Sequence, residues 1–177
     1  LMPSVDPLWQ QLAASGCYPA RVNGAETVTL GDGAKYLIGF NNKDATFLGK
    51  SLEVSENGNS YFIGKTNSQN QPEWVKTSLS TKGVLPVQVA LDASGNLYIA
   101  GSFTGTLKAD PYEIVARNDK RSLFLCGLTS TGNIKWLKTV SLDSLNQGTG
   151  IDFSLQFDLN GRLIGTPRFV EAIVAEN

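Results

Sequence analysis

The sequence predicts an all-β protein of antiparallel, four-stranded repeats preceded by a short N-terminal helix, and three observations carry that expectation. From Ala25 onward apolar residues fall at alternate positions, as they do in strands with one buried face. Turn signals rich in Gly, Asn, Asp and Ser interrupt these runs at short intervals. The chain also superimposes on itself when slid by 62 residues.

Residues 4–16 read as a helix. Ser4 or Asp6 serves as its cap, Pro7 suits its first turn, Leu8, Trp9 and Leu12 share one face, and Gly16 stands at the stop. That apolar face must cover a sheet or meet another chain. After it, Gly31-Asp32-Gly33 reads as a hairpin turn, without the strand-to-helix context of a phosphate loop. Val87-Gln88-Val89-Ala90-Leu91-Asp92 is a strand, Ala93-Ser94-Gly95-Asn96 its turn, and Leu97-Tyr98-Ile99-Ala100-Gly101 the returning strand. A strand from Ser122 to Leu128, the turn Ser130-Thr131-Gly132-Asn133 and a strand from Ile134 to Val140 complete a meander of four.

The shift of 62 places Gly33 on Gly95, Tyr36 on Tyr98, Gly39 on Gly101 and Phe62 on Phe124. It also places Trp74 on Trp136, Lys76 on Lys138 and Thr77 on Thr139. The matches are turn glycines and strand aromatics, the positions that a shared backbone dictates. A partial third copy runs from Phe153 through the turn Leu159-Asn160-Gly161-Arg162 to Gly165, with Asp158 on Asp92 and Gly161 on Gly95 at a shift of 66. The expected organisation is a helix and linker over residues 1–24 and a β-repeat domain over 25–177, with repeats at about 25–82 and 84–142 and a partial one at 151–177.

A repeat of this length holding four strands is a signature of propeller blades. The run from Asp92 to Phe103 resembles the opening of the bacterial SBBP-type β-propeller repeat. Ser122-Leu123-Phe124-Leu125 with Thr131-Gly132-Asn133-Ile134-Lys135-Trp136 is similar to its second half. Gly58-Asn59-Ser60-Tyr61-Phe62-Ile63-Gly64-Lys65 and Trp74-Val75-Lys76-Thr77 carry the earlier copy. The resemblance implies a blade and a secreted or surface-attached bacterial setting without catalysis. Propellers close with four or more blades, whereas this chain holds about two and a half. A fragment, a ring completed by several chains, and sheets stacked as a sandwich all remain open; the helix and the run from Phe169 to Val174 could cover open faces.

Fifteen basic residues face sixteen acidic ones, with no basic cluster, which argues against nucleic acid as a partner. No apolar run approaches the eighteen residues of a membrane span. Cys17 and Cys126 are too few for a disulfide framework; a buried inert thiol and a Cys17–Cys126 bridge are both compatible with their places.

The chain contains no histidine. That removes the commonest general base, the Ser–His and Cys–His nucleophile pairs and the commonest metal ligand. Asp92 and Asp158, matched between repeats, could form a paired acid and base as in glycosidases. Their ordinary role is to cap the turns at Gly95 and Gly161. Asp158-Leu159-Asn160-Gly161 has oxygens suited to calcium but lacks the closing Glu of a calcium loop. Trp74 and Trp136 could stack on sugars, yet recurrence in both repeats points to buried packing between blades. The excursions 41–52 and 104–114 differ most between copies and carry Phe47, Pro111 and Tyr112, in loops where recognition commonly resides. Loop aromatics folded onto their own sheet are the plainer reading.

Together these features predict a non-enzymatic structural or protein-interaction module of a secreted, surface or multi-subunit assembly, extracellular or in the bacterial cell envelope. No cofactor or metal is expected, and no binding residue stands out. Its partner is expected to be protein, either other copies of itself or further blades. The alternative is a carbohydrate-binding module using the variable loops, with a carboxylate-based glycoside hydrolase behind it.

Overall fold

The computed structural model describes residues 6–56, 59–140, 150–158 and 162–170. It is mostly antiparallel β with one short α-helix, and its sheets are not closed. Helix α1 spans Pro7–Ala14. The Asp6 carboxylate accepts the Leu8 N–H at 2.9 Å, and Gly16 adopts φ +83° just beyond the helix. Ser4, the other candidate cap, lies outside the described residues.

The first sheet begins with β1 (Cys17–Pro19), β2 (Thr27–Thr29) and β3 (Lys35–Asn41). A small hairpin, β4 (Thr46–Phe47) and β5 (Lys50–Ser51), precedes β6 (Asn59–Thr66) and β7 (Pro72–Ser80). Both β1 and β2 pair with β3, which is followed across the sheet by β6 and β7. The segment 1–24 is therefore more than helix and linker, because Cys17–Pro19 belongs to the first sheet. The second sheet contains β8 (Gly83–Leu91), β9 (Leu97–Thr104), β12 (Ser122–Leu128) and β13 (Ile134–Val140) in meander order. Between β9 and β12 the chain makes β10 (Thr106–Ala109) and β11 (Tyr112–Val115). These do not join their own repeat. β10 pairs with β7, with Leu107 opposite Ser80, and so extends the first sheet. The third repeat is the hairpin β14 (Gly150–Phe157) and β15 (Leu163–Val170).

Strand alternation assigns the faces. Tyr36, Ile38, Tyr61 and Ile63 point to the second sheet and pack with Ile99, Phe103, Phe124 and Cys126. Their neighbours Leu37 and Phe62 face the other way, under Leu8, Trp9 and Leu12 of α1 and Phe47 of the β4–β5 hairpin. At the 62-residue shift, Ala100, Leu123 and Leu125 hold the places of Ile38, Tyr61 and Ile63, and they pack with Leu155 and Leu163 of the third repeat. Each sheet thus presents the same face to the next. On the first sheet α1 lies on the face that a preceding sheet would take, and it plays the part of a capping element in a repeat stack.

The inner strand differs between the two copies. Pro19 lies opposite Gly39 and Pro86 opposite Gly101, while Thr27 opposite Leu37 matches Val89 opposite Ile99. Between these anchors the second copy has only Val87 and Gln88, at a β-bulge, and the first has residues 20–26. That insertion turns through Arg21, Asn23 and Gly24, all with positive φ. Asn23 then reaches the second sheet. Its N–H donates to Val87 O at 3.0 Å, its Nδ2 donates to Val89 O at 2.9 Å, and its Oδ1 accepts the Val89 N–H at 3.0 Å. The amide satisfies the inner edge of β8 as a neighbouring strand would. Asn23→Ala should cost about 1–3 kcal/mol, because it orphans Val89. Asn23→Gly, which keeps the left-handed backbone, should lose a similar amount in chemical denaturation. If the glycine variant is as stable as the parent, the clamp contributes nothing.

Candidate functional site

The aromatic pair of each repeat builds the most organised polar and aromatic site in the described structure. Tyr36 from β3 and Trp74 from β7 lie with ring centroids 5.8 Å apart and project beyond their own sheet. Tyr36 Oη donates to Gly95 O at 2.8 Å, and Trp74 Nε1 donates to Ser130 O at 3.1 Å. Both acceptors belong to turns of the second repeat. Ser130 N–H donates to Asn96 Oδ1 at 3.2 Å, which ties the two turns together. Gly132, at φ +86°, lies against the indole so closely that a Cβ there would come within 2.6 Å of Trp74 Cδ2. Burial, reinforced by the charges of Glu73, Asp92 and Asp32, pushes the Tyr36 phenol up to about 12, so it remains a donor.

Tyr98 and Trp136 repeat this pair on the second sheet, with centroids 6.0 Å apart. Their surroundings differ. Tyr98 meets Phe157 of the third repeat edge-on at 5.4 Å, and its Oη donates to Asp92 Oδ2 at 3.1 Å. Trp136 lies over Gly127 and has the Lys138 ammonium 5.7 Å from its ring centroid. Both tryptophans are half-buried, not buried as their recurrence suggested. The reason is geometric: the Trp74 indole docks on a turn of the second repeat, and the Trp136 indole lies over Gly127 of its own sheet, so neither is an interior residue between sheets.

Asp92 and Asp158 each serve their own turn. Asp92 Oδ1 accepts the N–H groups of Ser94 and Asn96 at 2.9 Å, and its Oδ2 accepts Asn96 Nδ2 at 2.7 Å. Partial burial acts to raise this carboxyl, but the hydrogen bonds from Asn96, Tyr98 and Ser94 outweigh it and hold the group below its ordinary value. A depressed carboxyl is the opposite of what a general acid near neutral pH requires. Asp158 accepts Arg162 N–H and pairs with Arg162 Nε, both at 2.8 Å. The remainder of the calcium-like sequence, residues 159–161, lies outside the described residues.

The variable excursions fold onto the sheets. Phe47 is fully buried against Gly64, with its ring 5.5 Å from that of Phe62. Tyr112 lies on β11 at the sheet's edge and donates to Lys135 O at 2.7 Å. A cleft of about 250 Å³ opens between Ser51, Glu53, Lys76, Thr77 and Asp110, where one lysine shares the walls with two carboxylates. No set of three His, Cys, Asp or Glu side chains suited to a metal occurs among the described residues. Among those residues no helix is long and apolar enough to cross a membrane.

Cys17 and Cys126 are both free and buried, in separate clusters on opposite faces of the first sheet, so no bridge joins them. Burial pushes the Cys17 thiol up to about 11 and the Cys126 thiol up to about 12. At about pH 8 both stay protonated and shielded, and the native chain should resist Ellman's reagent under conditions that label the unfolded chain completely. Rapid labelling of either thiol in the native chain would contradict this placement.

Asn23 was not legible as a contact residue; only the Asn23-Gly24 turn signal pointed to it. The Pro19–Gly39 and Pro86–Gly101 pairs escaped the 62-residue shift because the two prolines are 67 residues apart. Compared with known protein families, curated proteins and solved structures, the chain matches none.

Proposed function

We propose that this chain is a non-enzymatic β-repeat module that works by binding protein within a secreted, surface or multi-subunit assembly. The observation that carries the reading is the recurrence of one docking device. Tyr36 and Trp74 join the first repeat to the turns of the second, and Tyr98 and Trp136 offer the same device farther along. The likeness to SBBP-type repeats and the absence of histidine agree with it. The carboxylates matched between repeats are engaged in turns, which favours this reading over a carboxylate hydrolase.

The test is to immobilise the purified chain, identify proteins retained from a bacterial secreted fraction, and remeasure binding with one purified candidate by calorimetry. A saturable complex is expected, together with no turnover on a panel of glycosides. Hydrolysis that vanishes on Asp92→Asn with folding intact would overturn the reading.

A further inference from the structure

We infer that the open side of the third repeat accepts a further β-hairpin of this repeat type, with its strand along β15 and its turn on Trp136. This rests on the protein-interaction reading and names the partner's chemistry.

Two separate observations meet at this place. The first is an edge. In the second repeat β9 lies between β8 and β12, with a continuous register from Ser122 opposite Phe103 to Leu128 opposite Leu97. In the third repeat β15, the equivalent of β9, pairs with β14 and has no second neighbour among the described residues. A strand edge with free N–H and C=O groups is a template for an added strand.

The second is a seat. The position of Trp74 is closed by the turn that joins β12 to β13, through Ser130 O on the indole N–H and Gly132 against the ring. Trp136 occupies the same position one repeat later. It is half-buried, and among the described residues its indole N–H has no acceptor. Phe157 already meets Tyr98. It stands 66 residues after Leu91, and the first hairpin of the third repeat packs on the second sheet through Leu155 and Leu163 as that of the second repeat packs on the first sheet through Val89. What filled both edge and seat in the earlier copy is one object, the hairpin β12–β13.

The partner's chemistry follows. It is an antiparallel hairpin whose turn offers a carbonyl two residues before a left-handed glycine, because a Cβ at that glycine would strike the indole. A second copy of this chain does not offer one. Its own turn at residues 129–133 is already seated on its own Trp74, and α1 lies across its leading face.

The test uses a labelled peptide of residues 122–140, its ends tied by an added disulfide to hold the hairpin, titrated onto the whole chain by fluorescence polarisation. Saturable binding in the micromolar range is expected, weakened about tenfold or more by Trp136→Ala in the chain. The same loss is expected from Gly132→Val in the peptide, which decides the matter if Trp136→Ala fails to fold. No saturation up to about 1 mM, or affinity indifferent to both changes, would overturn the inference. If the hairpin fails while a purified protein still forms a saturable complex with the chain, the inference falls and the protein-interaction reading stands. If the hairpin binds as expected but the chain proves to be a hydrolase, the seat stands and that reading falls.

Discussion

Trp9→Ala is expected to lower the unfolding free energy by about 3–5 kcal/mol, the usual cost of emptying a large buried aromatic site. Trp9 is fully buried, the central apolar residue of α1. Its indole N–H donates to Glu26 O at 2.8 Å and to Thr27 Oγ1 at 3.1 Å, which fastens the helix to β2. Its ring reaches Gly39, where a Cβ would come within 2.9 Å of Trp9 Cη2. An eight-residue helix has little stability of its own, so most of what holds α1 is this packing. Removing the ring should loosen the whole cap and expose Leu37 and Phe62. Urea denaturation reads the first effect and binding of an apolar dye the second. A loss under about 1 kcal/mol without dye binding would mean that α1 does not seal the face.

Gly101→Ala should cost at least as much as ordinary overpacking, about 3 kcal/mol. A Cβ at Gly101 would run into the backbone oxygen of Leu85, and would lie 2.8 Å from Pro86 Cα and 2.6 Å from the Phe124 ring. Backbone cannot rotate aside as a side chain can, so the bulge in β8 would have to open. Gly39→Ala should behave alike, since Tyr18 O crosses Gly39 as Leu85 O crosses Gly101. Gly83→Ala is the control: nothing lies within 4 Å of its added methyl, and the change should stay within about 0.5 kcal/mol. Equal melting temperatures for Gly101→Ala and Gly83→Ala would sink the argument.

β12 and β13 were readable to the residue, because β12 is a short continuous apolar run, buried on both faces, and the Ser130-Thr131-Gly132-Asn133 turn leads directly into β13. The start of β8 was hidden by Pro86, which reads as a breaker. It is tolerated because β8 pairs on one side only, and Pro at an edge strand removes no ladder bond. β10 was hidden for a different reason. Thr106-Leu107-Lys108-Ala109 forms only a four-residue hairpin with β11, and its other partner is β7, from the preceding repeat. The same holds for Asn23, whose ligands are backbone groups 64 and 66 residues away. The repeat fixed which tryptophans are equivalent, but the half-buried setting of Trp74 depends on a turn from the following copy.

The crossing of β10 into the first sheet also bears on synthesis. Residues 106–115 are made after β8 and β9, yet they complete the sheet begun at Cys17. On the ribosome the first sheet therefore remains unfinished until the second repeat is more than half translated, and its β7 edge stays open for that interval. The two repeats are interlaced in time as well as in space. They should fold as one cooperative unit, so a nascent chain released at residue 82 would carry an unfinished sheet.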